Sequence, residues 1–147
     1  MTTTPTATEL AQDLAQQFAT RADEADKLGQ LPEADVQALK NSGYMGLNIP
    51  QELGGFGLSM RDCLEAHLEL SQGSTSTAIV AAMPMQIFGG ARDANPWTAE
   101  IYERLCRMVT QDGALMNYVA SEPQLGSPSR GGLPATKAEP TADGDGW

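Results

Sequence analysis

The chain is 147 residues long, which fits one ordinary domain and is enough to bury a core without disulfide or metal staples. Hydrophobic residues make up 41% and charged residues 19%, a balance that excludes a wholly disordered chain. Nine Lys and Arg against 19 Asp and Glu give a net charge of −10, which argues against a general binder of nucleic acid or of anionic membranes. Cys63 and Cys106 lie far apart and form no CxxC pair, and His67 is the single histidine, so neither a disulfide framework nor a metal site is expected. The start, Met-Thr-Thr-Thr-Pro-Thr, has no basic and no apolar region of a secretory signal. No apolar run approaches the roughly 18 residues that span a bilayer, and the cytoplasm is the default location.

The spacing of Leu10, Leu14, Phe18, Ala22 and Ala25 predicts a first helix over residues 8–28, stopped at Gly29. Pro32 opens a second helix, with Glu33 and Asp35 at the positive end of its dipole and Val36 and Leu39 inward. Residues 44–57 hold too much Pro and Gly for a regular element and are expected to form an ordered loop packed under its neighbours. Ser59 reads as an N-cap with Asp62 as its partner, and Cys63, Leu64, His67 and Leu68 as the inner face of a third helix closed by Gly73. Residues 75–88 are apolar on all sides, the mark of a buried central helix, and Pro84 should kink or divide it. A fifth helix is expected over residues 97–110, with Trp97, Ile101, Leu105 and Met108 inward. Five helices without alternating strands predict an all-α bundle.

The last third changes character. Residues 114–121 are short and apolar enough for a strand, and residues 133–138 for another. From Glu122 to Trp147, nine of 26 residues are Gly or Pro, which suits a flexible tail or the loops of a β region. The closing Asp-Gly-Asp-Gly-Trp reads as a hairpin turn without its second strand, as in a truncated larger protein.

Few residues carry chemistry of their own. In Gly55-Phe56-Gly57-Leu58-Ser59-Met60 a methionine stands where a dinucleotide fingerprint needs its third glycine, and no strand precedes it, so these glycines shape a turn. His67 reads as a hydrogen-bonded core or boundary residue and the two cysteines as inert core thiols. No GxSxG elbow is present. One segment stands apart, Tyr118-Val119-Ala120-Ser121-Glu122-Pro123-Gln124-Leu125-Gly126-Ser127. Backbone N–H groups and Ser hydroxyls at such a strand end can bind the edge of a flat cofactor or a phosphate, and a plain strand-to-loop exit is the competing reading.

That segment resembles the flavin signature of the acyl-CoA dehydrogenase family, Tyr-x-Val/Leu-Thr-Glu-Pro-x-x-Gly-Ser-Asp. The run from Gly43 through Asn48-Ile49-Pro50-Gln51-Glu52-Leu53-Gly54-Gly55-Phe56-Gly57-Leu58-Ser59 is similar to the family's Gly-Leu…Ile-Pro-Glu-Glu-x-Gly-Gly-x-Gly-Leu-Ser. The stretch from Leu133 to Trp147 is similar to the segment that precedes its β-domain. The resemblance implies a helical domain over residues 1–113 and the incomplete start of the middle β-domain over residues 114–147. It further implies FAD as cofactor, an acyl-CoA thioester as substrate, an electron acceptor, and a homo-oligomer at full length. By the same resemblance Tyr118, Ala120 and Ser121 line the isoalloxazine ring, with the Ser121 hydroxyl toward flavin N5. Gly126 and Ser127 lie near the FAD phosphates, and Ser127 also near the thioester. Pro128 departs from the family's Asp and removes a carboxylate and an N–H. The family's catalytic glutamate has no counterpart up to Trp147, so a proton acceptor for dehydrogenation is missing and no catalytic residue is assigned. A flavin-dependent monooxygenase on the same scaffold and a non-catalytic helical module are the alternatives.

Overall fold

The computed structural model describes residues 5–94, 96–119, 121–122 and 134–143. The chain falls into two compact units, Met1–Asn117 and Tyr118–Trp147. Among the described residues the first unit holds six α-helices: α1 (Ala7–Ala19), α2 (Ala22–Leu28), α3 (Glu33–Ser42), α4 (Met60–Ser71), α5 (Thr75–Ala94) and α6 (Ala99–Asp112). Single turns of 3-10 helix at Tyr44–Gly46 and Gln51–Leu53 lie between α3 and α4. The all-α bundle expected from periodicity is the fold observed.

The first helical segment is divided, not continuous. Thr20 turns its hydroxyl back onto the Gln17 carbonyl at 2.7 Å, and Arg21 leaves the helical backbone with φ −122°. A threonine bonded to its own preceding turn and a non-helical arginine are the two residues that separate α1 from α2. Arg21 is used elsewhere: its Nε donates to Asp35 Oδ1 at 2.7 Å, and its Nη2 pairs with the same oxygen. The N-terminus of α1 is a full capping box, in which Thr6 Oγ1 accepts from Glu9 N–H and the Glu9 carboxylate accepts from Thr6 N–H. The Ser59 cap of α4 forms as expected, accepting from Asp62 N–H at 3.2 Å.

The core gathers Phe18 of α1, Leu39 of α3, Leu70 of α4, Phe88 of α5, Cys106 and Val109 of α6, and Tyr44, Leu47 and Ile49 from the turn segment. Each fully buried side chain of this size contributes about 1.5–3 kcal/mol of transfer free energy. Residues 44–57 are therefore an ordered loop packed into the core, as their apolar content predicts.

Three expected faces are corrected. In α4 the buried residues are Cys63, Ala66 and Leu70, whereas Leu64 and Leu68 are 52% and 65% exposed. In α6 they are Cys106 and Val109, with Tyr102 and Leu105 packed beside them, whereas Ile101 and Met108 are exposed. α5 is buried on one side only, and Ile79 faces outward. Pro84 does not divide α5, which runs unbroken through it. Proline removes the N–H that would bond the Val80 carbonyl. The ring itself is buried in the packed interior, and Asn48 Nδ2 donates to the Met85 carbonyl at 2.7 Å, holding the next turn from outside.

Residues 114–119 form no strand, and neither do residues 134–138. Strands need a partner edge, and none exists among the described residues. Instead Ala114 N–H caps α6 by donating to the Met108 carbonyl, and Met116 packs against the helical core.

Candidate functional site

The turn segment between α3 and α4 is built by its glycines. Phe56, Gly57 and Leu58 N–H groups donate to the Gly46, Ile49 and Leu47 carbonyls at 3.1, 2.8 and 2.9 Å, folding the two arms of the loop onto each other. A Cβ on Gly55 would stand 2.2 Å from the Ile49 carbonyl oxygen, so only glycine permits this closure. Thr110 of α6 seals the loop from above by donating to the Leu53 carbonyl at 2.8 Å. The glycine run is thus a packing device and not a phosphate cradle.

Within the helical unit, polar groups are spent on structure. Asp35 is almost wholly buried and receives Arg21, with the Thr77 hydroxyl at 3.5 Å and Ser74 3.0 Å from Thr77. Sequence reasoning placed Asp35 only on a helix dipole; its partner sits 14 positions earlier, at the break between α1 and α2. Tyr44 and His67 meet through the phenol oxygen and Nδ1 at 3.1 Å, which makes His67 the hydrogen-bonded boundary residue expected. Burial holds the imidazole below its ordinary pKa. Burial also pushes the Cys63 thiol up to about 11 and raises Cys106, the state of inert core thiols. No group of three His, Cys, Asp or Glu among the described residues is placed to hold a metal ion. No helix among the described residues is long and apolar enough to cross a membrane.

The second unit carries the flavin-like segment. Tyr118 and Val119 are 76% and 82% exposed, and Ser121 is exposed with no hydrogen bond to another described residue. Ala120, Gly126 and Ser127 lie outside the described residues. Ser121 and Tyr118 offer a hydroxyl and an aromatic ring three positions apart, a donor set that suits the edge of a flat heteroaromatic group. They make an edge and not a pocket. Next to Ser121 stands a group that sequence reasoning passed over. The Glu122 carboxylate accepts two backbone N–H groups, Ala135 on Oε2 and Thr136 on Oε1, both at 2.8 Å. The Thr136 hydroxyl and these two N–H donors hold its carboxyl below the usual carboxylate range. A glutamate wedged between a candidate ligand residue and a proline was the available signal, because the residue before proline is confined to extended backbone.

Comparison with known proteins places these features. The family described as acyl-CoA dehydrogenase, N-terminal domain, matches residues 6–103. A putative acyl-CoA dehydrogenase of Bacillus subtilis is 34% identical over 125 residues, covering 85% of this chain and 32% of that protein. The short-chain specific mitochondrial acyl-CoA dehydrogenase of Bos taurus is 31% identical over 133 residues, covering 86% of this chain and 29% of that protein. A probable FMNH2-dependent monooxygenase of Pseudomonas putida is 41% identical over 71 residues, covering 48% of this chain and 18% of that protein. The chain thus spans under a third of the length of these relatives. The matched region is the helical bundle itself, from the capped start of α1 into α6, and the chain belongs to the acyl-CoA dehydrogenase family.

Proposed function

We propose that this chain is the N-terminal part of an FAD-dependent acyl-CoA dehydrogenase. The reaction is removal of the α-proton and β-hydride of an acyl-CoA thioester, with electrons passed on to an acceptor, in a homo-oligomer of full-length subunits. The observation that carries this reading is the pairing, in one chain, of the family's helical domain with a Tyr118-to-Glu122 segment that resembles the flavin signature and in which Tyr118, Val119 and Ser121 are exposed. Residues 1–113 serve as the helical domain and residues 114–147 as the opening of the middle β-domain. FAD supplies, when bound, the two-electron acceptor for the hydride. Tyr118, Ala120 and Ser121 line its ring. Ser121 donates its hydroxyl to the ring nitrogen N5. Gly126 and Ser127 border the phosphates, with Ser127 also at the thioester. Activity is assigned to a polypeptide of the relatives' length, because a proton acceptor at the α-carbon is still required.

Ser121→Ala in that longer polypeptide tests the reading. Loss of one hydrogen bond costs on the order of 1 kcal/mol, so flavin affinity or the rate of flavin reduction should fall several-fold. Unchanged affinity, spectrum and reduction rate would remove Ser121 from the flavin site.

A second reading is a monooxygenase on the same scaffold, favoured by the 41% identity to the Pseudomonas putida protein over 71 residues. Reduction of bound flavin by acyl-CoA without oxygen supports dehydrogenation. Oxygen uptake with externally reduced flavin, and no reduction by acyl-CoA, supports oxygenation.

A further inference from the structure

Glu122 lies 13 and 14 residues before its two partners, yet its two carboxylate oxygens accept one backbone N–H each, from Ala135 and Thr136, at 2.8 Å. Both oxygens are thereby committed to adjacent peptide units, a two-point attachment that fixes direction as well as distance. Glu122 is also locked from its own side, since Pro123 confines it to extended backbone. Ser121 is the residue directly before it. We propose that Glu122 is a positioning residue for the flavin segment: its carboxylate ties Ser121 to residues 135–136 and so sets where the Ser121 hydroxyl stands. This inference rests on the flavin reading of that segment.

The physical logic is one of pre-organisation. Closing a loop of this length has an entropic cost, and ends already tied spare a ligand that cost on binding. Ser121 forms no hydrogen bond to another described residue, and Glu122 beside it is held both by its carboxylate and by a single backbone β-bridge. Lys137 follows on the partner segment and forms no ion pair with Glu122 among the described residues. The attachment therefore depends on the ionised carboxylate itself. A carboxyl group stabilised in its charged form keeps these bonds above the ordinary carboxylate value and loses them as pH falls through its own lowered one.

The test has two arms. In the 147-residue chain, amide NMR shifts of Ala135 and Thr136 are followed through acid titration. In the native sequence both should move together, with a midpoint below the ordinary glutamate value of 4.5. In Glu122→Gln that step should vanish and exchange of both amides with solvent should quicken several-fold, while Glu122→Asp should restore a titration step. Amides that do not titrate in the native chain, or that titrate equally in Glu122→Gln, overturn the attachment. In the longer polypeptide, flavin affinity should fall several-fold in Glu122→Gln, with Glu122→Asp recovering part of it. Affinity unchanged in Glu122→Gln, with the amide step lost, overturns the positioning role. A native longer polypeptide that takes up no FAD overturns the flavin reading and the role built on it, and the amide titration still decides the attachment.

Discussion

The Tyr44–His67 pair shows how burial makes stability depend on pH. Tyr44 is buried, and burial pushes its ionisation far up, so the phenol keeps its proton, with its oxygen 3.1 Å from His67 Nδ1. Burial likewise disfavours the charged imidazole and holds its folded pKa below the ordinary 6.5. Stability rises with pH wherever the unfolded chain binds more protons than the folded one. This contribution is therefore whole above the unfolded value and is lost as pH falls below it toward the lowered folded value. Urea midpoints should drop between about pH 7 and about pH 5 in the native chain, and drop less in His67→Gln. Equal slopes in the two proteins would assign the effect to other groups.

Packing between elements separates two glycines that look alike in the sequence. Gly73 follows α4 and reads as a helix stop. A Cβ there would lie 2.1 Å from the Ala15 carbonyl oxygen of α1, so its real office is to let two backbones approach. Gly90, inside α5, has nothing within 4 Å of its added Cβ. Gly73→Ala should cost about 1–3 kcal/mol by forcing α1 and α4 apart. Gly90→Ala should add about 0.5–1 kcal/mol through helix propensity alone. Chemical denaturation of the two variants checks both signs, and a destabilised Gly90→Ala or a neutral Gly73→Ala would refute the packing described. The same close approach explains which faces the sequence concealed. α1 and α4 pack on each other, and their buried faces carry Ala11, Ala15, Cys63 and Ala66, small residues that permit short backbone distances. The larger Leu64 and Leu68 are left outside, although hydrophobicity alone would turn them inward. In α6, Ile101 and Met108 compete at helical spacing with Tyr102, Cys106 and Val109, and the second set is the one turned to the core, with the Thr110 bond to Leu53 on the same side. Most helix positions and the Ser59 cap were legible because they follow local chemistry, whereas the break between α1 and α2 and the Thr6 and Thr98 caps were not read. Rotation about the helix axis was not, because it is decided by what lies opposite. For the same reason Asp35 was missed: nothing near it in the sequence announces Arg21. In the candidate site the order Tyr118, Ser121, Glu122 was legible as a motif, but the Glu122 attachment depends on residues 13 positions on and was not.

At the scale of the whole chain, the two units differ in how much of a ligand site they can build. The helical unit bonds buried polar groups such as Asp35 and Thr77 to itself, while Asn48 Oδ1 and Tyr102 Oη stay without a partner among the described residues, and the family match ends at residue 103, before the flavin-like segment begins. The second unit offers Tyr118 and Ser121 as exposed groups, with Glu122 tied to residues 135 and 136 beside them. A dinucleotide held tightly is enclosed over about 70–90% of its surface. One exposed edge encloses far less, and any residues that must be ordered on binding add a further cost. The 147-residue chain is therefore expected to retain no stoichiometric FAD and to oxidise no acyl-CoA, whereas the polypeptide of the relatives' length should do both. The measurement is direct. The chain is incubated with excess FAD and freed of unbound flavin by gel filtration, and its visible spectrum is then recorded before and after adding acyl-CoA and an electron-accepting dye. A featureless visible spectrum and an unreduced dye are the expected results. Flavin bands at one equivalent, or dye bleaching on adding acyl-CoA, would show that the second unit closes a site by itself. Ser121 and Tyr118 would then line a pocket complete within this chain.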